Sequence, residues 1–353
     1  MAKLRIGLDI GSTAVRAAEL SLGSDLPALT RAAQVPLPPG AVQDGEVREL
    51  DTVASALRDL WKRGGFRSRQ VTMGVGNQRV VVREVTVPSL PPKELEESLP
   101  FQVEELIPMP IEETVLDHDV LEELEQDGRP MMRLLVVAAQ RQMIDEMVAA
   151  AVKARLEPVG VDLVPFALVR SVGSTDGLGL EETDAGGEAL VDVGADVTNI
   201  CVHEQGVSRF VRILPSGGND VSAGMAAQLG VTLEQAESLK RGEPAQGAPA
   251  PAEARAVAEA RSAALVDEIR SSLDFYQAQS PGARVGRVLV TGGGSKLPGL
   301  FEAIGQRVRV PVEPGRTFSK VRPQLKMDQQ TMAEAEPLLA VAVGLALPAE
   351  GKA

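Results

Sequence analysis

Apolar and polar positions along the chain change period many times. Ile6, Leu8 and Ile10 form an apolar run that carries one carboxylate, Asp9, and breaks at Gly11-Ser12-Thr13 before Val15–Leu20 resumes as a strand. Gly23–Pro27 reads as a turn and Pro36–Gly40 as a loop. Leu50–Lys62 has the pattern of an amphipathic helix ending at Gly64-Gly65. Valine-rich Val71–Gly76 and Val80–Val87 read as strands, and Pro91-Pro92 opens a helix with Glu94, Glu96 and Glu97 in its early turns. That helix runs toward Leu106 with a kink expected at Pro100. Pro108–Gly128 predicts a loop and a short strand ending in an acidic turn, and Met132–Ala139 another strand. Ile144, Met147, Val148, Ala151 and Val152 are spaced for a buried helix face over Arg141–Leu156. The sequence of elements from about 80 to 157 describes a small α+β unit set into a larger domain.

Val159–Asp162 is a short strand leading into a helix, Val164–Val172, and Ser174–Glu188 reads as a solvated connection. Ala189–Ala195 is a second strand ending in a turn. Gly217-Gly218 precedes a helix through Leu229, and Leu233–Lys240 forms another. Glu243–Pro251 is a Pro/Ala/Gly segment expected to lack regular structure. A long helix over Ala252–Tyr276, a strand at Arg287–Val290 and a helix over Leu297–Val308 follow. After an irregular stretch to Asp328 the chain closes on an apolar helix, Ala333–Leu347.

Composition narrows the function classes. The chain has 353 residues, enough for two or three domains with their own cores. A net charge of −13 excludes a general binder of phosphate backbones, and seven Phe, one Trp and one Tyr leave no stacking platform for single strands. One cysteine, Cys201, excludes a disulfide framework, and His118 and His203 are too few for a histidine-rich metal site. The chain enters a strand without a signal-peptide core, and the apolar run Leu338–Leu347 is too short for a bilayer, so a cytoplasmic location is expected.

The candidate chemistry lies in three loops. Shifting the sequence by 183 positions lays GLDIGSTAVR onto LVDVGADVTN, so that Asp9 falls on Asp192 and Gly11 on Gly194. A duplicated strand–Asp–x–Gly turn implies two domains built alike that face each other across a cleft. Backbone N–H groups at such turns suit phosphate, and two carboxylates suit Mg2+, which keeps part of its water shell. The third loop, VLVTGGGSKLPGL, ends a strand in Gly292-Gly293-Gly294, where the backbone can approach a ligand closely.

The order of these motifs resembles the superfamily of actin, heat-shock chaperone and sugar-kinase ATPases. A closer resemblance is to the PilM family of actin-like type IV pilus assembly proteins, itself similar to the division protein FtsA. MAKLRIGLDIGSTAVRAAEL, FQVEELIPMPIEETVLDHDVL, ALVDVGADVTNICV, RILPSGGNDVSAGMA and VLVTGGGSKLPGL carry it, over nearly the whole chain. The resemblance implies an α/β, two-domain actin-like ATPase fold with a duplicated core. The first domain would span 1–187 with the inserted unit at about 80–157, the second 188–332, and a C-terminal helix and tail, 333–353, would return to the first.

It also implies an ATP site with Mg2+. Gly11, Ser12 and Thr13 match the first phosphate loop, Gly194, Ala195 and Asp196 the second, and Gly292, Gly293 and Gly294 the adenosine loop, with Asp9 and Asp192 holding the cation through water. Gly217 and Gly218 match a glycine pair near the ribose, and Glu237 and Lys240 a helix that closes over the nucleoside. A groove for the N-terminal segment of a PilN-like inner-membrane protein is implied too, with Phe101, Val103, Leu106 and Ile107 as one wall.

Other residues carry bland expectations: His118 and His203 at the surface or in loops, Cys201 in the core, and the acidic clusters Glu94–Glu97 and Glu122–Glu125 as solvated faces. Glu157 and Asp162 are the acids of the connecting segment, and neither is assignable to positioning a hydrolytic water, so weak or no ATPase activity is expected. A small-molecule kinase and an FtsA-like scaffold are the alternatives. The first is left little room for an acceptor site by the inserted unit, and the second needs a basic amphipathic tail that LALPAEGKA does not provide.

Overall fold

The computed structural model describes residues 3–23, 26–174, 186–243, 249–279 and 282–349. Most of the connection expected at Ser174–Glu188, part of the Glu243–Pro251 segment and part of the Gly23–Pro27 turn lie outside the described residues.

The first domain opens with β1 (Lys3–Ile10), β2 (Ala14–Leu22) and β3 (Ala28–Pro36), a small hairpin of β4 (Val42–Gln43) and β5 (Glu46–Val47), α1 (Leu50–Gly64) and β6 (Gln70–Val75). The inserted unit holds β7 (Val80–Pro88), α2 (Pro92–Val103), β8 (Thr114–Gln126), β9 (Arg129–Gln140) and α3 (Arg141–Lys153). The chain returns through β10 (Glu157–Leu163) and α4 (Val164–Val172). The second domain has β11 (Gly187–Val193), β12 (Thr198–Glu204), β13 (Val207–Leu214), α5 (Gly218–Leu229), α6 (Leu233–Lys240), α7 (Pro251–Gln279), β14 (Val285–Thr291), α8 (Leu300–Val308) and β15 (Val312–Pro314). Finally β16 (Arg322–Pro323) and α9 (Gln329–Ala346) rejoin the first.

One sheet has the order β10-β6-β1-β2-β3-β16 and the other β13-β12-β11-β14-β15. In each, a central strand pairs antiparallel with the strand that follows it and parallel with a later one: β1 with β2 and β6, β11 with β12 and β14. All of β11 is buried, as a strand covered on both faces must be, and this explains its unbroken apolar run. The return to the first sheet begins at Arg322, which pairs with Ala28 before α9 starts.

Between the two sheets lie α4 and α9. Val164, Leu168 and Val172 of α4 pack with Ala340, Val341 and Leu345 of α9 and with Leu190, Cys201 and Leu289 of the second sheet. On its other side α9 packs Leu339, Ala342, Val343 and Ala346 against Ala18, Leu20 and Leu29. A side chain at Gly344 would collide with the Ala167 carbonyl, so the two helices touch backbone to backbone there.

The inserted sheet, β7-β9-β8, has its own core of Val85, Leu95, Leu99, Val103, Ile107 and Leu134. Three expectations need correction here. The strand after Pro110 is long, running to Gln126 as an edge strand whose acids face water. A strand that the reading omitted, β3, interleaves Thr30, Arg31 and Gln34 with alanines, which weakens its apolar signal. Pro100 sits inside α2, and the path toward Leu106 tightens to 3-10 geometry at Glu104–Leu106 rather than continuing as α-helix.

Candidate functional site

The two strand–Asp–x–Gly turns have the same geometry. Gly11 N–H donates to the Ala14 carbonyl at 3.1 Å, and Gly194 N–H to the Val197 carbonyl at 2.9 Å. Each aspartate also has a cross-strand partner seven residues on: Asp9 opposite Arg16 and Asp192 opposite Asn199. Arg16 forms an ion pair with Asp9 at 3.3 Å, and the Asn199 amide hydrogen-bonds to Asp192. The duplication thus extends from the turns to the groups that hold their carboxylates, yet neither Arg16 nor Asn199 was singled out from sequence. Their identity of spacing within the 183-residue offset was the available signal.

Burial raises Asp9, with Arg16 working against it. Burial, then the nearby charge of Asp9, pushes Asp192 up to about 7, although Arg16 and Asn199 both oppose the rise. Two carboxylates forced together without sufficient compensating charge form a donor set that a divalent cation would neutralise. Among the described residues no group of three or more His, Cys, Asp or Glu could ligate a metal directly. The pair therefore fits a cation that keeps most of its water, as Mg2+ does.

The second loop is fastened to the start of α5. Gly194 and Ala195 carbonyls accept from the N–H groups of Gly218 at 3.0 Å and Asn219 at 2.8 Å, and the Asn219 side chain donates to Asp196 at 2.6 Å. Gly217 N–H donates to Asp220 at 2.8 Å, completing the cap. The positive end of a helix dipole therefore stands beside the loop, which favours an anion there.

Helix α6 locks onto the same place. Lys240 Nζ donates to the Gly218 carbonyl at 2.9 Å and pairs with Glu237 at 2.5 Å, while Ser222 donates to Glu237 at 2.7 Å. Lys240 and Glu237 are half-buried against the glycine pair, so they form more than a solvated surface pair.

The third loop abuts the second. Gly292 has φ 84°, and a side chain there would meet the Asp192 carboxylate and the Val193 carbonyl. Gly292 and Gly294 are buried and only Gly293 is exposed, so of the three glycines only that one offers an open face. Asp44 N–H of the β4–β5 turn reaches the Asp196 carboxylate at 3.4 Å, linking the first half of the chain to the second loop. Ser12 is half-buried and Thr13 exposed at the first turn.

The residues expected to wall a partner groove divide. Phe101 is 81% and Leu106 49% exposed, whereas Val103 and Ile107 are buried in the inserted unit's own core. A cleft of about 600 Å3 lies between the inserted unit and α1, lined by Leu50, Glu112, Glu113, Arg141, Asp145 and Glu146. Of these, Glu112 and Glu113 follow the segment FQVEELIPMP after one residue, Ile111, the one signal in the sequence.

His203 corrects the surface expectation. It is 1% exposed on β12, with Nε2 2.9 Å from the Glu188 carboxylate. His118 is half-buried on β8, and Cys201 is buried as expected. Asp162 pairs with Arg170.

A family model described as type IV pilus assembly protein PilM matches residues 7–350. A solved structure titled PilM-PilN type IV pilus biogenesis complex aligns at TM-score 0.83 with 29% identity, covering 97% of each chain. The ethanolamine utilization protein EutJ from Carboxydothermus hydrogenoformans aligns at 0.57 with 17% identity, covering 98% of this chain and 90% of its own. MreB5 of Spiroplasma citri bound to ADP aligns at 0.53 with 12% identity, covering 97% and 94%. The last two share the fold alone, which makes the architecture actin-like, as expected.

Proposed function

The chain belongs to the type IV pilus assembly protein PilM family, and we propose that it is an ATP-binding cytoplasmic scaffold of the inner-membrane pilus assembly complex. The family match favours neither the kinase nor the division-scaffold alternative. Two matching Asp turns whose carboxylates, Asp9 and Asp192, lie close enough to act on each other carry the nucleotide reading. Gly11–Thr13 and Gly194–Asp196, the latter fastened to the start of α5, would hold phosphates, with Gly293 and the Glu237–Lys240 helix at the nucleoside end. Asp9 and Asp192 would hold Mg2+ through water, and the cation's chemistry when bound is to neutralise phosphate charge. Arg16, on the strand returning from the first turn, is placed to exchange Asp9 for a phosphate oxygen.

No helix among the described residues is long and apolar enough to cross a membrane, so attachment through a membrane partner suits the scaffold role. The partner would be a PilN-like protein, following the complex named for the matched structure. Four carboxylates around the 600 Å3 cleft suit an extended segment with basic residues, and exposed Phe101 and Leu106 offer an apolar surface on the same inserted unit. Nucleotide would couple to this site because β7 of the inserted unit lies against β13 of the second domain. Hydrolysis would be slow.

ATP affinity measured with and without the N-terminal peptide of a PilN-like partner tests the reading. Coupling of about fivefold or more is expected. Equal affinities in both conditions would remove nucleotide-linked closure.

A further inference from the structure

Asn199 has a feature that the nucleotide reading above does not use. Its side chain is 5% exposed, and its Oδ1 is a buried oxygen without a hydrogen-bond partner. The orientation of the amide follows from its neighbour. Asp192 accepts, so Asn199 presents its NH2 to that carboxylate and its carbonyl oxygen to the other side. That other side is the seam between domains: a Cβ added at Gly76, just beyond β6 of the first domain, would come within 2.7 Å of Oδ1. One side chain therefore reaches from the second-domain carboxylate to the first-domain backbone, with its acceptor free.

An unpaired buried acceptor is costly, and a hydrogen supplied by a bound ligand would remove that cost. Beside it stand two carboxylates, Asp192 and Asp9, that suit a hydrated cation. The donors around such a cation are its own waters, since Mg2+ retains several and each must place two hydrogens. Glycine at position 76 keeps a methyl group off the oxygen that would receive one of them.

We propose that Asn199 is a positioning residue for the water shell of a divalent cation held between Asp9 and Asp192, with Oδ1 accepting from a cation-bound water while Nδ2 holds Asp192. The proposal rests on the nucleotide–cation reading of the cleft.

The test compares Asn199→Val with Asn199→Thr. The two side chains have the same shape and both suit strand β12, but only threonine keeps an acceptor. Affinity for a non-hydrolysable ATP analogue is measured in EDTA and in Mg2+, and Mn2+ binding to the nucleotide-free chain by paramagnetic relaxation. For Asn199→Val, EDTA affinity within about twofold of wild type and a roughly tenfold smaller gain from Mg2+ are expected, with Asn199→Thr recovering part of that gain. Equal losses in EDTA and Mg2+, or identical behaviour of the two variants, would overturn the proposal. If wild type binds Mn2+ but no nucleotide, the nucleotide reading alone fails, and the Mn2+ affinities of the variants still decide the role of Asn199. If wild type binds neither, both fall.

Discussion

Asp9 and Asp192 come from matching turns in different domains, and the charge of the first helps push the second up to about 7. Burial is the larger cause. A carboxylate whose folded value lies above its ordinary 3.8 is stabilising while protonated, and that stability is lost as pH rises toward 7. The nucleotide-free Asp192→Asn variant should therefore unfold at higher denaturant than wild type at pH 8. Its advantage should grow between pH about 4 and about 7 and level off above, reaching on the order of 4 kcal/mol. A constant difference across that range in urea titrations would refute the cause assigned to it.

Lys240 connects α6 to the glycine pair through the Gly218 carbonyl. Lys240→Ala should weaken ATP binding by about tenfold or more, the scale of one charge-assisted hydrogen bond. Inorganic triphosphate should bind both forms alike, given the proposed place of the lysine at the nucleoside end. Calorimetry with the two ligands separates these positions, and an equal loss for both would relocate Lys240 to the phosphates.

Asp145 and Glu146 lie on α3, in the wall of the cleft. Reversing both to lysine should abolish capture of a basic PilN-like segment while changing stability by less than about 1 kcal/mol, as is usual for surface positions. Fluorescence anisotropy of a labelled peptide is the measurement. Retained binding would move the partner site to the Phe101–Leu106 surface.

Glu188 is the centre of a buried cluster at the entry to the second domain. It accepts from His203 at 2.9 Å, from Ser174 N–H at 2.8 Å and from Arg287 at 2.5 Å. Burial acts to raise its pKa, but these partners outweigh it and the carboxyl sits below its ordinary 4.5. Its contribution is thus present above the ordinary value and lost as pH falls through the lowered one. Glu188→Gln should cost about 3–5 kcal/mol near neutrality, as removal of one member of a buried charge pair does. It should also flatten the acid limb of the stability profile. An unchanged limb would show that the cluster does not govern acid unfolding.

The legible parts of the chain were those whose signal is local. The turns at Gly11 and Gly194, the amphipathic α1 and the helix start at Pro92 each announce themselves within a dozen residues. What escaped depends on partners distant in sequence. Asn199 matters because β12 lays it opposite Asp192, and Asp44 because a two-residue turn reaches the other domain. His203 looked solvated because its carboxylate partner is fifteen residues away on another strand. Val103 and Phe101 are two positions apart on one helix, yet one is core and the other open. Apolar character alone could not divide them. Helical geometry sends residues two apart toward opposite faces, and that places them.

The apolar layer between the sheets has a consequence for synthesis. Ala18, Leu20 and Leu29 are covered by α9, which is translated after every strand of their sheet. Until that helix leaves the ribosome, one face of the first sheet has no partner, however complete the strands themselves are. Domains that normally fold as they emerge must here wait for α9. Premature termination before Gln329 would therefore leave a product with every strand of the first sheet and an open sheet face, a substrate for chaperones and proteases.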